Sequence, residues 1–256
     1  MRVLVETFAA PKGGSAESEY EDAAWPSRVY RATTQRFRCA VADGATETSY
    51  SRSWAHILVG AFASDRLSGP DVTELAEVRL RWQRGVDARL VKPHAWYVDA
   101  KVQSGAYAAL VTLDVEAEAG DEPGNWASFA IGDSCLVQMR GAEVVAAFPL
   151  DESTAFNDRP HLLGSLRARV DDAIEVARTK GCWRDRDTFF LLSDAIACWF
   201  HKEREAGRQP WQLLNQLRRK DRSGFNSWIN EMRASKTLKN DDVTVLRLRL
   251  ATGDGD

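Results

Sequence analysis

Phe37-Arg38-Cys39-Ala40-Val41-Ala42, followed at once by Asp43-Gly44, is the stretch on which the fold reading turns. Phe37, Cys39 and Val41 alternate with Arg36, Arg38 and Ala40, the period of a strand with one buried face, and the run stops at a carboxylate. Two more apolar runs stop in the same way: Trp126 to Ile131 meets Gly132-Asp133-Ser134, and Thr188 to Leu192 meets Ser193-Asp194. Asp241-Asp242 instead opens the last strand, in which Leu246, Leu248 and Leu250 alternate with Arg247 and Arg249 as in a half-buried closing strand. Taken singly, each Asp is ordinary turn chemistry, because Asp-Gly and a strand-ending Asp are common. As a set, Asp22, Asp43, Asp133, Asp194 and Asp241 imply one polyanionic site. Gathered carboxylates repel each other unless a positive charge sits between them, and hard divalent cations with oxygen ligands answer that need. Magnesium or manganese is therefore expected.

Around these runs the pattern is of strands and helices in groups. Trp54, Ile57, Leu58, Ala61 and Phe62 follow helical spacing behind a polar turn of Thr46, Thr48, Ser49 and Ser51, with Ser51 the expected N-cap. Gly69-Pro70 ends that helix, and Val72 to Arg84 reads as a second. Gly105 to Val115 reads as a strand buried on both faces and forms a hairpin with Ala127 to Ile131 across a Gly/Pro/Asn loop. Leu136 to Met139 and Val144 to Phe148 form another hairpin around Arg140-Gly141. Asp151 to Cys182 has no sustained period and reads as an irregular excursion, a candidate flap with one short strand or helix. Ala195 to Glu205, Pro210 to Arg219 and Phe225 to Ala234 read as helices. Neighbouring strands joined by hairpins imply antiparallel sheets covered by helices, an α+β sandwich.

Composition narrows the function classes. A chain of 256 residues buries one large core, expected over residues 1–250, with 251–256 a disordered tail. Lys plus Arg at 34 against Asp plus Glu at 37 gives a net charge of −3, so neither nucleic acid nor an anionic membrane is an expected partner. Cys39, Cys135, Cys182 and Cys198 form no Cys-x-x-Cys pair and read as buried thiols of a cytoplasmic protein. The opening MRVLVETFAAPKGG is too short in its apolar part for a signal peptide, and no segment is long enough to span a bilayer. The nine Trp are spread along the chain, as core filling requires. His56, His94, His161 and His201 show no metal-ligand spacing, and His56 reads as structural.

Glu21-Asp22-Ala23, Val41-Ala42-Asp43-Gly44, Ile131-Gly132-Asp133-Ser134, Leu191-Leu192-Ser193-Asp194 and Asp241-Asp242-Val243-Thr244-Val245 together resemble, in order and spacing, the type 2C metal-dependent (PPM) protein serine/threonine phosphatases, in particular divergent bacterial members. The resemblance covers nearly the whole chain. It implies a four-layer αββα sandwich of two mainly antiparallel sheets flanked by helices, with two Mn2+ or Mg2+ ions in a cleft between the sheet edges. It implies that Asp43 bridges both ions, Gly44 offers its carbonyl to one, Asp194 and Asp241 hold the first, and Glu21 and Asp22 approach the second through water. Asp133 would serve a third, weaker ion. It further implies that a metal-held water attacks phosphoserine or phosphothreonine in line, with Asp43, Asp194 and Asp241 essential, in a monomer that acts on a phosphorylated protein and opposes a cognate serine/threonine kinase.

Four departures from the family pattern stand out. Glu17 occupies the position of a phosphate-gripping Arg, which leaves Lys12, Arg28 or Arg31 as replacement cations, Lys12 foremost. Asp43-Gly44-Ala45-Thr46-Glu47 lacks the usual His. Ala195 stands for Gly and Asp242 for Asn. The missing Arg and His keep a second reading open, a catalytically weak or inactive phosphatase-like module that binds a phosphoprotein partner.

Overall fold

β4 (Arg36–Gly44) forms where the alternation predicts a strand and runs on through Asp43 and Gly44. Both of its faces are buried, not one. Cys39 and Val41 point into the space between two sheets, while the small side chains of Ala40 and Ala42 let α1 (Ser51–Ala63) lie close on the other face. The structure, a computed structural model, describes residues 1–45, 50–90, 102–118, 123–157, 159–166, 174–218 and 221–252. Thr46 to Ser49, His94 and Trp96 lie outside the described residues, as do 119–122, 167–173 and 253–256.

Two antiparallel sheets face each other. The first runs β3 (Tyr30–Thr33), β1 (Arg2–Ala10), β12 (Val243–Ala251), β11 (Thr188–Leu192), β7 (Cys135–Arg140), β8 (Glu143–Phe148). The second runs β10 (Ala177–Trp183), β6 (Gly124–Ile131), β5 (Tyr107–Glu116), β4, β2 (Ala23–Trp25), with the short β9 (Leu163–Gly164) added to β5. Val3, Val5, Leu191, Leu246 and Leu248 of one sheet meet Cys39, Val41, Val111 and Leu113 of the other in a central core. Outside the second sheet, α1 and α2 (Val72–Asp87) bury Trp54, Leu58, Phe62 and Trp82 against it. Outside the first, α3 (Asp194–Glu205), α4 (Pro210–Gln216) and α5 (Arg222–Ala234) bury Ile196, Phe200, Leu214 and Ile229. Helix, sheet, sheet and helix are the four layers expected.

Several expectations need correction. β1 has no counterpart in the sequence reading, yet it pairs with β12 over its whole length, Arg2 with Ala251 through Ala10 with Val243. Arg247 is not on a half-exposed strand: it is 1% exposed, because the C-terminal carbonyls of α4 cover it. Its guanidinium donates to Leu214 O (2.6 Å), Asn215 O (2.8 Å), Leu217 O (2.9 Å) and Glu6 Oε2 (2.6 Å). The 151–182 excursion holds more than the one short element expected: a 3-10 turn at Ser153–Ala155, β9, and all but the last residue of β10, which is zipped to β6. Tyr50, in left-handed conformation, is the N-cap of α1 in place of Ser51. Cys182 is exposed and Cys198 half-buried, so only Cys39 and Cys135 are buried thiols. His56 is on the exposed side of α1, whereas His201 on α3 is fully buried between Phe156 and Phe200. Ala251 still belongs to β12, and Thr252 N donates to Asp185. Among the described residues, no helix is long and apolar enough to cross a membrane.

Candidate metal centre

Antiparallel pairing brings the ends of six strands to one end of the sandwich. Ala23 pairs with Ala42, so Asp22 and Asp43 stand opposite each other one step on, on the face that Ala24, Cys39 and Val41 turn toward the first sheet. Leu192 pairs with both Cys135 and Val245, so Asp133, Asp194 and Asp241 leave the first sheet at that same end. The Gly132-Asp133-Ser134 turn carries the chain from β6 in one sheet to β7 in the other. Gly132 has φ +88°, and a Cβ there would fall 2.7 Å from Ala109 Cβ, so the crossing requires glycine. Gly44 is equally constrained, since a Cβ would meet Glu21 O at 2.8 Å and Ser51 C at 3.0 Å. Both glycines serve the approach of one chain segment to another.

Each carboxylate has a distinct environment. Asp22 is buried, accepts from Thr244 Oγ1 across the sheet gap (2.6 Å), and leaves its Oδ1 without a partner. Burial pushes the Asp22 carboxyl well above its ordinary range, with Asp242 and Asp194 adding to the push. Asp43, partly open at the cleft mouth, is likewise raised, by burial and then by Asp22, Asp194, Asp133 and Asp241. Asp133 is pushed up to about 7 by burial and by Asp194. Tyr20, hydrogen-bonded to Thr244 Oγ1, is raised by burial and by Asp22. Asp194 and Asp241 add to the push on Asp43 and Asp133, so the five carboxylates share one electrostatic site.

The surrounding groups fix these side chains. Asp242 accepts two backbone N–H groups, Lys12 N and Glu21 N, both at 2.7 Å. An Asn could accept only one of them without turning its NH2 onto the other, which accounts for the departure at this position. Ser51 Oγ donates to the Glu21 carboxylate. Arg233 donates to Asp241 O (2.6 Å) and Pro11 O (2.9 Å). Gly13 N donates to Asn240 Oδ1 at 2.7 Å, so the Lys12-Gly13 loop lies along the segment that carries Asp241. Glu17 is exposed on a short 3-10 turn whose Ser18 carbonyl accepts from Arg52 (2.9 Å). Arg31 pairs with Leu4, toward the far end of β1 from the cleft.

Lys239 escaped the sequence reading. Its Nζ lies 3.1 Å from Asp194 Oδ2 and 2.9 Å from Asp241 Oδ2. Burial opposes its charge, but the two carboxylates outweigh burial and raise its pKa. Tyr20, Ser51, Thr244 and Arg233 were missed as well. Position beside a motif residue was the available signal for Tyr20, Thr244 and Lys239; Ser51 and Arg233 carried none.

With Lys239 between Asp194 and Asp241, no three His, Cys, Asp or Glu side chains among the described residues close into a metal-holding group. The donors nevertheless suit a hard cation. They are all oxygen, they repel one another, and one buried oxygen, Asp22 Oδ1, has no partner.

A family model described as protein phosphatase 2C matches residues 20–249. Among solved structures, the serine/threonine phosphatase PstP/Ppp of Mycobacterium tuberculosis is similar at TM-score 0.58 and 15% identity, over 98% of this chain and 100% of that one. The photosystem II phosphatase PBCP is similar at TM-score 0.56 and 13% identity, over 97% and 98%. The catalytic domain of PstP in complex with two manganese ions is similar at TM-score 0.53 and 17% identity, over 98% and 100%. At these identities the likenesses speak for the fold alone. No curated protein matches.

Proposed function

The chain belongs to the protein phosphatase 2C family, and from that premise we propose that it is a metal-dependent protein serine/threonine phosphatase whose active site is the carboxylate end of the sandwich. The observation that carries the proposal is the convergence of Asp22, Asp43, Asp133, Asp194 and Asp241 from both sheets, with the raised pKa values of Asp22, Asp43 and Asp133 and an unpartnered buried oxygen on Asp22. Asp43 would serve two divalent ions, with Asp194 and Asp241 holding the first, Glu21 and Asp22 approaching the second through water, and the Gly44 carbonyl offered to one of the two; Asp133 would serve a weaker third. Mn2+ or Mg2+ so bound supplies an activated water at neutral pH and charge neutralisation for the phosphoryl oxygens.

The remaining work belongs to the chain itself. Thr244 fixes the Asp22 rotamer, and Ser51 with Asp242 fixes Glu21, so these acids are held before any ligand arrives. Lys12 is the candidate for gripping the substrate phosphate, because Asp242 anchors its backbone beside the cleft. No side chain carries the signature of a covalent nucleophile, so direct attack by water is the expected route. The substrate class proposed is a phosphoserine or phosphothreonine protein, the product of a serine/threonine kinase.

Purified protein with manganese is expected to hydrolyse a phosphothreonine peptide and p-nitrophenyl phosphate. Folded, manganese-loaded protein that turns over neither ends the enzymatic reading. One observation favours the second reading, a phosphatase-like binding module: Lys239 already sits where a cation would bridge Asp194 and Asp241. Calorimetry separates the two, since such a module binds phosphopeptide without hydrolysing it.

A further inference from the structure

Lys239 combines three properties. Its ammonium bridges two carboxylates from different segments, Asp194 at the start of α3 and Asp241 just before β12. Its side chain is 60% exposed, while those of Asp194 and Asp241 are 17% and 27% exposed, so the cation enters from solvent onto a largely sheltered pair. The backbone around it is tied down: Asn240 holds Gly13 N, Asp242 holds Lys12 N and Glu21 N, and Arg233 holds Asp241 O. The side chain can therefore swing away while the acids keep their places. A pair with one partner this exposed contributes little to stability, and a dication at a similar distance attracts each carboxylate about twice as strongly as an ammonium does.

Resting on the metal-centre reading above, we propose that Lys239 is a built-in counter-ion that competes with the divalent cation for Asp194 and Asp241. The metal-free cleft is neutralised in part by its own chain, and a metal ion must displace the ammonium to enter. Lys239 thus sets the affinity below what the same acids would give alone and makes occupancy responsive to metal concentration.

The test is calorimetric titration of Mn2+ into the full chain as wild type, Lys239→Gln and Lys239→Arg, each stripped of metal beforehand. Lys239→Gln is expected to bind at least about fivefold more tightly than wild type, a loss of competition that mass action converts directly into apparent affinity. Lys239→Arg, which keeps a cation there, is expected to bind no more tightly than wild type. Metal-free Lys239→Gln should melt below metal-free wild type and gain more from saturating Mn2+. A second measurement covers the case in which the variant does not fold: titrating diamagnetic Mg2+ into wild type should shift the Lys239 side-chain NMR signals with the binding midpoint. Equal or weaker binding by Lys239→Gln, or Lys239 signals unmoved at saturation, overturns the proposal and leaves the metal centre standing. No binding by folded wild type and folded variant alike removes the metal centre, and the proposal with it.

Discussion

β11 has an aspartate at each approach, and the two live in opposite surroundings. Before the strand, Asp187 is fully buried and saturated with donors: Gln138 Nε2 at 2.8 Å, Arg140 Nε at 2.9 Å, Arg140 Nη2 at 2.7 Å and Arg184 N at 3.0 Å. After the strand, Asp194 sits among carboxylates whose charges raise the pKa values of Asp22, Asp43 and Asp133, with the exposed Lys239 against it. Burial alone does not separate the two ends, since Asp22 at the acidic end is as sheltered as Asp187. Satisfaction does: one carboxylate holds the fold together, and the others are held by the fold against their own repulsion.

The largest expected effect breaks the acidic end. Asp43→Asn should lower manganese-dependent turnover of a phosphopeptide by roughly 100-fold or more, since ligand loss removes stabilisation of developing charge. In EDTA the same variant should unfold at higher urea, by about 1 kcal/mol, because one repelling charge is gone. At the saturated end the signs invert. Asp187→Ala should cost about 3 kcal/mol in urea unfolding, since it strands Arg140 and Gln138, while the calorimetric affinity for Mn2+ stays at the wild-type value.

The pH dependence sharpens the contrast. Asp22, Asp43 and Asp133 have folded-state pKa values raised above those of the unfolded chain, so the metal-free fold binds the extra protons and gains stability as pH falls through about 7, the Asp133 value. His201 acts in reverse. Burial depresses it to about 4, so its contribution is present above 6.5 and is lost as pH falls toward 4. Urea melts in EDTA should therefore show stability rising as pH falls from 8 toward 5, the three acids outweighing the one histidine, and His201→Leu should steepen the rise below pH 6.5. Saturating Mn2+ should abolish the rise, and binding at pH 6.5 should release protons, seen as buffer-dependent calorimetric heats. A modest loss, about 1–2 kcal/mol in urea unfolding, is expected for Asp242→Asn, because an amide NH2 must then face Lys12 N or Glu21 N.

What the sequence disclosed follows from range. β4, β6 and β11 were legible because an apolar run and the Asp that stops it are local, and the motif order carried the layered architecture. Lys239 and Thr244 were not, because they meet Asp194 and Asp22 across 45 and 222 residues of chain. Arg247 misled for a related reason: an arginine in an alternating strand reads as solvent-facing until the α4 carbonyls that receive it are known. In β1, Glu6 and Thr7 interrupt the apolar pattern, and it is pairing with β12 along its whole length and with β3 over Arg2–Val5 that makes residues 2–10 a strand.

That pairing also governs when the molecule can assemble. β12 lies between β1 and β11, so residues 2–10 have no central neighbour until residues 243–251 have been made. The second sheet, drawn from residues 23–183, is available much earlier on the ribosome. Contacts of such long sequence separation are entropically slow to close, and a half-built sheet leaves hydrogen-bonding edges bare. Until residues 243–251 have been made, β1 should therefore have β3 alone as a neighbour along its Arg2–Val5 half, and the acidic cleft should come into being only with the arrival of β12.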